Sequence, residues 1–313
     1  MKRKVIQIAD STQLVSLPRK WCLDHGIKKG DELEVEEQGN RLVVLTEKDT
    51  ELGAVEVDIT DLDRTSIIYL IRGLYKKGYD EIKLVFRKPT TTHIRLNQEA
   101  KVISIIHQEV NRMTGMEIVQ QKENFCILKA ISKPSDKELD SMLRRVFILL
   151  IDAARDLIQG AKASDQLLIE TVVNEKHDTL TRFISYSLRI MNKIRNEDIN
   201  THFLYHSIAV LDKITDMLRI CGRDLQGYGK KLSKESIAIL GMIFDSFELY
   251  HTLFYKFELE TARRLNENKE RVSNKMDAVT TRLPAQEILL LSNMHQALEL
   301  FRDLTEARMA MAF

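Results

Sequence analysis

The sequence predicts a multidomain chain: a small all-β unit, a small α/β unit and a long all-α section. Three observations predict it. Short alternating apolar segments run through residue 48, strand and helix patterns alternate over 54–131, and apolar residues recur at helical spacing from 135 almost to the end. At 313 residues the chain also exceeds what one hydrophobic core usually organises.

In the first unit, residues 1–48, Val5-Ile-Gln-Ile alternates, Leu14-Val-Ser-Leu is bounded by Pro18, and Glu32-Leu-Glu-Val-Glu leads into Leu42-Val-Val-Leu. Gln38-Gly-Asn-Arg reads as a hairpin turn, because Gly and Asn tolerate the positive φ that tight hairpins need. A short helix is expected over 19–25, closed by Gly26.

The second unit reads as strand 55–59, helix 61–77 ended by Gly78, strand 82–86, helix 96–113, and strands 117–120 and 125–129. In the third, 135–313, Ser135 with Glu138 three residues on has the form of a capping box. Six helices are expected: 136–162, 165–196, 199–222, 234–255, 257–282 and 285–312. The stretch Gly222-Arg-Asp-Leu-Gln-Gly-Tyr-Gly229 divides them three and three. Val173-Asn-Glu-Lys-His-Asp178 can be laid over Val272-Ser-Asn-Lys-Met-Asp277, so a pair of three-helix bundles, 135–222 and 233–313, is the expected repeat.

Composition narrows the function. Lys+Arg 47 against Asp+Glu 46 leaves a formal charge of +1, so any contact with nucleic acid must come from a local patch. Cys22, Cys126 and Cys221 include no C-x-x-C pair, which excludes a cysteine zinc site and favours the reducing cytoplasm. The longest apolar run, 146–151, is far short of the roughly 20 residues that span a bilayer, so membrane insertion is not expected. His202 and His206 are four apart but lack the acid of an H-E-x-x-H motif, and the methionines are spread as core fillers. No phosphate loop, nucleophile elbow or Cys-His pair is present, and catalysis is not expected.

The stretch Ser11-Thr-Gln-Leu-Val-Ser-Leu-Pro-Arg-Lys-Trp-Cys-Leu-Asp-His-Gly-Ile-Lys-Lys-Gly-Asp-Glu-Leu-Glu-Val resembles the SpoVT/AbrB family of swapped-hairpin domains. The resemblance implies an interleaved homodimer and, as in transition-state regulators, DNA contact. The family's DNA-binding members carry basic residues at positions held here by Leu14, Cys22 and Leu23. Nearby positive charge comes instead from Lys2, Arg3, Lys4, Arg19 and Lys20, the candidate DNA-binding residues, which a dimer would double.

Further on, His206-Ser-Ile-Ala-Val-Leu-Asp-Lys-Ile-Thr-Asp-Met-Leu resembles the third helix of the PhoU family, with Asp212 and Asp216 at its acids. Leu298-Glu-Leu-Phe-Arg-Asp-Leu-Thr-Glu306 repeats that pattern, and Glu175-Lys-His-Asp178-Thr-Leu-Thr-Arg182 resembles the family's acidic middle helix. The whole arrangement resembles an archaeal PhoU-family, phosphate-uptake-regulator-like protein. Acids four apart share a helical face, so Asp212 and Asp216 facing Glu175 and Asp178 would make a carboxylate cluster for Mg²⁺, Mn²⁺, iron or Zn²⁺. Glu299, Asp303 and Asp277 would make a second, weaker one, because Asn274 replaces an acid. The bland reading of the same residues is i, i+4 ion pairing on wet helix faces.

Together these readings predict a phosphate-responsive, homodimeric, DNA-binding transcription regulator whose helical section senses state through metal or a partner. The alternative is a cytoplasmic modulator of a phosphate ABC transporter or sensor kinase, with transporter components as partners and the β-unit used only to dimerise.

Overall fold

A computed structural model of the chain describes residues 1–8, 12–38, 41–45, 53–193 and 199–313. The chain divides at Gly53 into two units, Met1–Gly53 and Ala54–Phe313.

In the first unit, β1 (Val5–Ile8) pairs antiparallel with β2 (Thr12–Val15), Val5 lying opposite Val15. Pro18 then starts the short helix α1 (Arg19–Asp24), and Gly26 follows it at φ 67°, the left-handed position expected of it. Next, β3 (Glu34–Gln38) pairs with β4 (Arg41–Leu45), with Gln38 opposite Arg41. The expected turn residues Gly39 and Asn40 lie outside the described residues.

The second unit begins with β5 (Ala54–Asp58), α2 (Arg64–Lys77) and β6 (Glu81–Val85), a crossover that places β5 parallel to β6. Asp63 starts α2 by accepting from the amides of Thr65 and Ser66, a cap worth about 1 kcal/mol. Gly78, at φ 107°, ends it. A helix was expected over 96–113, but two elements occupy its N-terminal part and its approach. Here β7 (Thr90–His93) and β8 (Gln98–Lys101) form a hairpin turned through a 3-10 turn, Ile94–Leu96, and Asn97 at φ 49°, and the α-helix is confined to α3 (Val102–Val110). Three consecutive threonines favour a strand, and the apolar period is confined to Val102, Ile105, Ile106 and Val110.

Then β9 (Met116–Gln121) and β10 (Phe125–Ala130) complete a four-stranded sheet of order β5-β6-β10-β9. One face of it buries Ile82, Leu84, Cys126 and Leu128 against Ile67, Ile71 and Tyr75 of α2 and the apolar side of α3. Alternation along β6 and β10 sets that face.

The helical part comprises α4 (Asp136–Ala163), α5 (Gln166–Thr171), α6 (His177–Lys193), α7 (Ile199–Tyr228), α8 (Lys234–Tyr255), α9 (Leu259–Val279) and α10 (Ala285–Ala310). Ser135 stands at the N-cap position of α4, but Glu138 does not complete a capping box; its carboxylate accepts from the Tyr186 hydroxyl at 2.6 Å. One π-helical turn, Val172–Lys176, joins α5 to α6 in place of a continuous helix. Nor does α7 break at Gly222: it runs on to Tyr228, and Gly229, at φ 61°, follows. Gly222 serves close packing instead, since a Cβ there would stand 2.5 Å from Val173 Cγ2.

One hydrophobic core runs through all of these helices from Leu143 to Leu304, so the two expected three-helix groups share a single interior. The sheet is joined to it through α6, whose Tyr186 and Ile190 sit in the sheet's core while Leu180, Ile184 and Leu188 sit in the helical one. Of the described helices, α8 is long and apolar enough to cross a membrane, with a mean hydropathy of 1.3. It packs here as a core helix, burying Ile239, Leu240, Ile243, Phe247 and Tyr250.

Candidate functional site

Of the seven acids expected to hold metal, Asp178, Asp212 and Glu299 come to rest against Lys or Arg, and Asp216 against His177. Asp178, at the start of α6, bonds Arg112 at 2.6 Å, and Asp212 on α7 bonds Lys76 at 2.9 Å. His177 is buried between Asp178 and Asp216, its Nδ1 3.2 Å from the first and its Nε2 3.2 Å from the second. Glu175 is exposed on the π turn. The next residue, Lys176, reaches Asp152 and Asp156 of α4, each at 2.5 Å. The extra residue of a π turn shifts the phase of the helix face, which separates Glu175 from the acids of α7.

In the second half Glu299 bonds Lys269 and Arg302, each at 3.0 Å, while Asp277 and Asp303 are exposed. Among the described residues no three His, Cys, Asp or Glu side chains gather at metal-binding spacing. Carboxylates already neutralised by Lys and Arg are a poor donor set for a divalent cation, so the residues do not fit the expected metal clusters.

Electrostatics in this region are those of an ion network. Burial pushes the Asp178 and Asp216 carboxyls up, but His177 with Arg112 for the first, and His177 with Lys213 and Arg72 for the second, hold both below the usual range. Arg72 itself bonds the buried Glu109 through Nε and Nη2. The thiols of Cys126 and Cys221 are buried and free, and burial pushes Cys126 up to about 11, which marks a packing role.

Sequence reasoning passed over the arginines of this region. On α7, Arg219 and Arg223 continue the stripe of Asp212 and Asp216 at intervals of three and four, so the helical period alone places them on the same face. Arg189 is 2% exposed and reaches the carbonyls of Tyr75 and Tyr79 and the Asp80 carboxylate, none of which its sequence position announces.

The first unit presents the other candidate surface. Lys2, Arg3 and Lys4 precede β1, Arg19 and Lys20 open α1, and all five are exposed. Between them lies apolar surface in the wrong place for an isolated fold: Val5, Ile6, Ile8, Leu14, Val15, Val35 and Leu42 are all exposed, Ile6 by 58% and Leu42 by 67%. No described side chain of this unit is buried.

Residues 6–52 match the family model of the MazE bacterial antitoxin, described as antidote-toxin recognition. The N-terminal unit is a MazE/AbrB-like domain. No curated protein and no solved structure matches the chain. The matched family is regulatory and non-enzymatic. In the MazE/AbrB-like domain, two hairpins flank a short helix, and the described residues leave every apolar strand residue named above uncovered.

Proposed function

We propose that the chain is a homodimeric DNA-binding regulator, in which the MazE/AbrB-like domain pairs with its copy and the helical unit carries the response. The supporting observation is the absence of any buried described side chain in a domain whose strands carry seven large apolar residues on their surface. A two-stranded ribbon wet on both faces is marginal alone, and interleaving with an identical ribbon buries the same residues twice over. The full chain is therefore expected to sediment as a dimer. Replacing Ile6 and Ile8 by Lys is expected to yield the monomer, and a monomeric wild type would sink the reading.

Dimerisation brings ten cations together, two copies of Lys2, Arg3, Lys4, Arg19 and Lys20. Phosphate contacts from such a set give a salt-dependent affinity. Binding to genomic fragments at two salt concentrations tests this. Changing all five residues to Gln is expected to weaken binding about tenfold or more and to flatten the salt dependence. If the variant binds like wild type at both salts, these residues are not the DNA surface.

The resemblance of the α7 segment to PhoU supports a phosphate-supply signal as what the helical unit answers to. The ion-paired acids favour no metal in that role.

A further inference from the structure

Two helices joined by a short link ordinarily pack against each other as a hairpin. The link between α9 and α10 is short, residues 280–284, yet α9 leans chiefly on α8, and α10 on α7 and α8. Away from the link, between the first half of α9 and the second half of α10, the pair is parted by a cleft of about 550 Å³. Its floor is Ala262 and Leu265 of α9, Leu298 and Phe301 of α10, and Ser246 of α8, none more than 7% exposed. Leu259 stands in its wall and is 58% exposed. The one polar side chain of the floor, Ser246, already accepts from Asn268 Nδ2 at 2.9 Å. Water there finds few partners, so an apolar body displaces it at little cost.

The walls decide the charge of what fits. Arg263 lies against Glu260 and Glu267, and Lys269 and Arg302 each bond Glu299 at 3.0 Å, so every cation lining the cleft already has a carboxylate. Asp303 and Glu306, three apart on α10, also line it, and among the described residues neither forms an ion pair. Three cations therefore stand against five carboxylates, and the uncompensated charge beside the apolar floor is negative.

We propose that the cleft between α9 and α10 binds a small amphipathic cation, an amine or quaternary ammonium carrying an apolar body. The volume falls within the roughly 300–1,000 Å³ of small-molecule sites. The apolar body lies on Ala262, Leu265, Leu298 and Phe301, and the head meets Asp303 and Glu306 at the rim. A polar polyamine gains only the rim charges, which are worth little in water, and an apolar anion meets the surplus of like charge. The cleft is built from the second unit alone, so it stands independently of the dimer and the DNA surface proposed above.

Isothermal titration of the full-length protein with decyltrimethylammonium and, separately, decanoate, each below its micelle-forming concentration, tests the site. Saturable binding of the cation at one site per chain is expected, with decanoate about fivefold weaker, the ratio that exposed carboxylates supply. The double variant Asp303→Asn, Glu306→Gln changes exposed side chains only, and is expected to bring the two probes to within about twofold of each other. Ala262→Phe, which fills the floor, is expected to abolish binding of both, with its melting temperature reporting that the helices still close. Absence of saturable binding of the cation, decanoate binding as tightly as the cation, or a preference unchanged in the double variant overturns the proposal. So does a folded Ala262→Phe protein that binds the cation like wild type, which would place the probe on another apolar surface.

Discussion

Arg189→Met is expected to destabilise the second unit by about 3–5 kcal/mol, the cost of breaking a buried pair from one side. Arg189 extends from α6 to the C-terminal end of α2, where its Nη1 donates to the carbonyls of Tyr75 and Tyr79, each at 2.9 Å, and its Nη2 to Asp80 at 3.0 Å. Its guanidinium also lies 5.0 Å from the centre of the Tyr75 ring. Asn192, nearly one turn on, donates to the Lys76 carbonyl at 2.7 Å. One helix therefore caps another: the Tyr75 carbonyl, which also accepts from the Gly78 amide, and the Tyr79 carbonyl just past the end of α2 receive a cation from α6 where the helix carries partial negative charge. Methionine fills the space but leaves two carbonyls and a carboxylate facing an apolar stem. Lys193, 2.5 Å from Asp80, limits the loss at that carboxylate. Urea denaturation of Arg189→Met, Asp80→Asn and the double variant measures the effect. A cost below about 1 kcal/mol for Arg189→Met, or fully additive single variants, would show that the pair does not couple sheet to helices.

The legible part of the fold was the part written in local period. Gly26 and Gly78 marked helix ends because only their φ angles are free to turn there, and both adopt positive φ. Thr90-Thr91-Thr92 and Asn97 equally carried a hairpin, but the apolar residues of α3 drew the expected helix forward over Asn97 and the strand that follows it. Gly222 misled for a different reason. A glycine that breaks a helix and one that lets two helices touch are the same letter, and only Val173 and Leu157 on the facing segments distinguish them.

The expected metal clusters face a similar degeneracy. Acids at i, i+4 read identically whether they converge on a cation or pair with one, and the deciding partners, Lys76 for Asp212 and Arg112 for Asp178, lie 136 and 66 residues away. The π turn at Val172–Lys176 compounds this, because one extra residue per turn moves Glu175 off the face that straight helical spacing assigns to it. The basic residues of the first unit were legible because exposure is the default for Lys and Arg. The unburied strands beside them were legible too, since so short a β-segment has no interior to offer.

Glu287→Gln is expected to cost about 2–3 kcal/mol near neutral pH and to flatten the acid limb of the stability curve. The Glu287 carboxylate, 2% exposed, joins the ends of three helices. It lies in the first turn of α10, accepts from the Ser233 amide and hydroxyl at the N-cap of α8, the hydroxyl at 2.6 Å, and from Ser236 Oγ at 2.5 Å. Tyr228, at the end of α7, donates to it at 3.0 Å. Burial alone would push this carboxyl up, but the bonds from Ser233, Ser236 and Tyr228 outweigh it and hold the carboxyl below its ordinary range. A carboxyl depressed in the folded state binds fewer protons there than in the unfolded chain, so its contribution is complete above about pH 5 and is lost as pH falls through the folded value. Urea midpoints measured from pH 7 downward should therefore converge for wild type and Glu287→Gln in acid, the variant losing less because it has no proton to take up. Curves that stay parallel to the lowest pH would mean that the carboxylate's charge contributes nothing beyond its shape, and that neutral hydrogen bonds suffice to hold α7, α8 and α10 together.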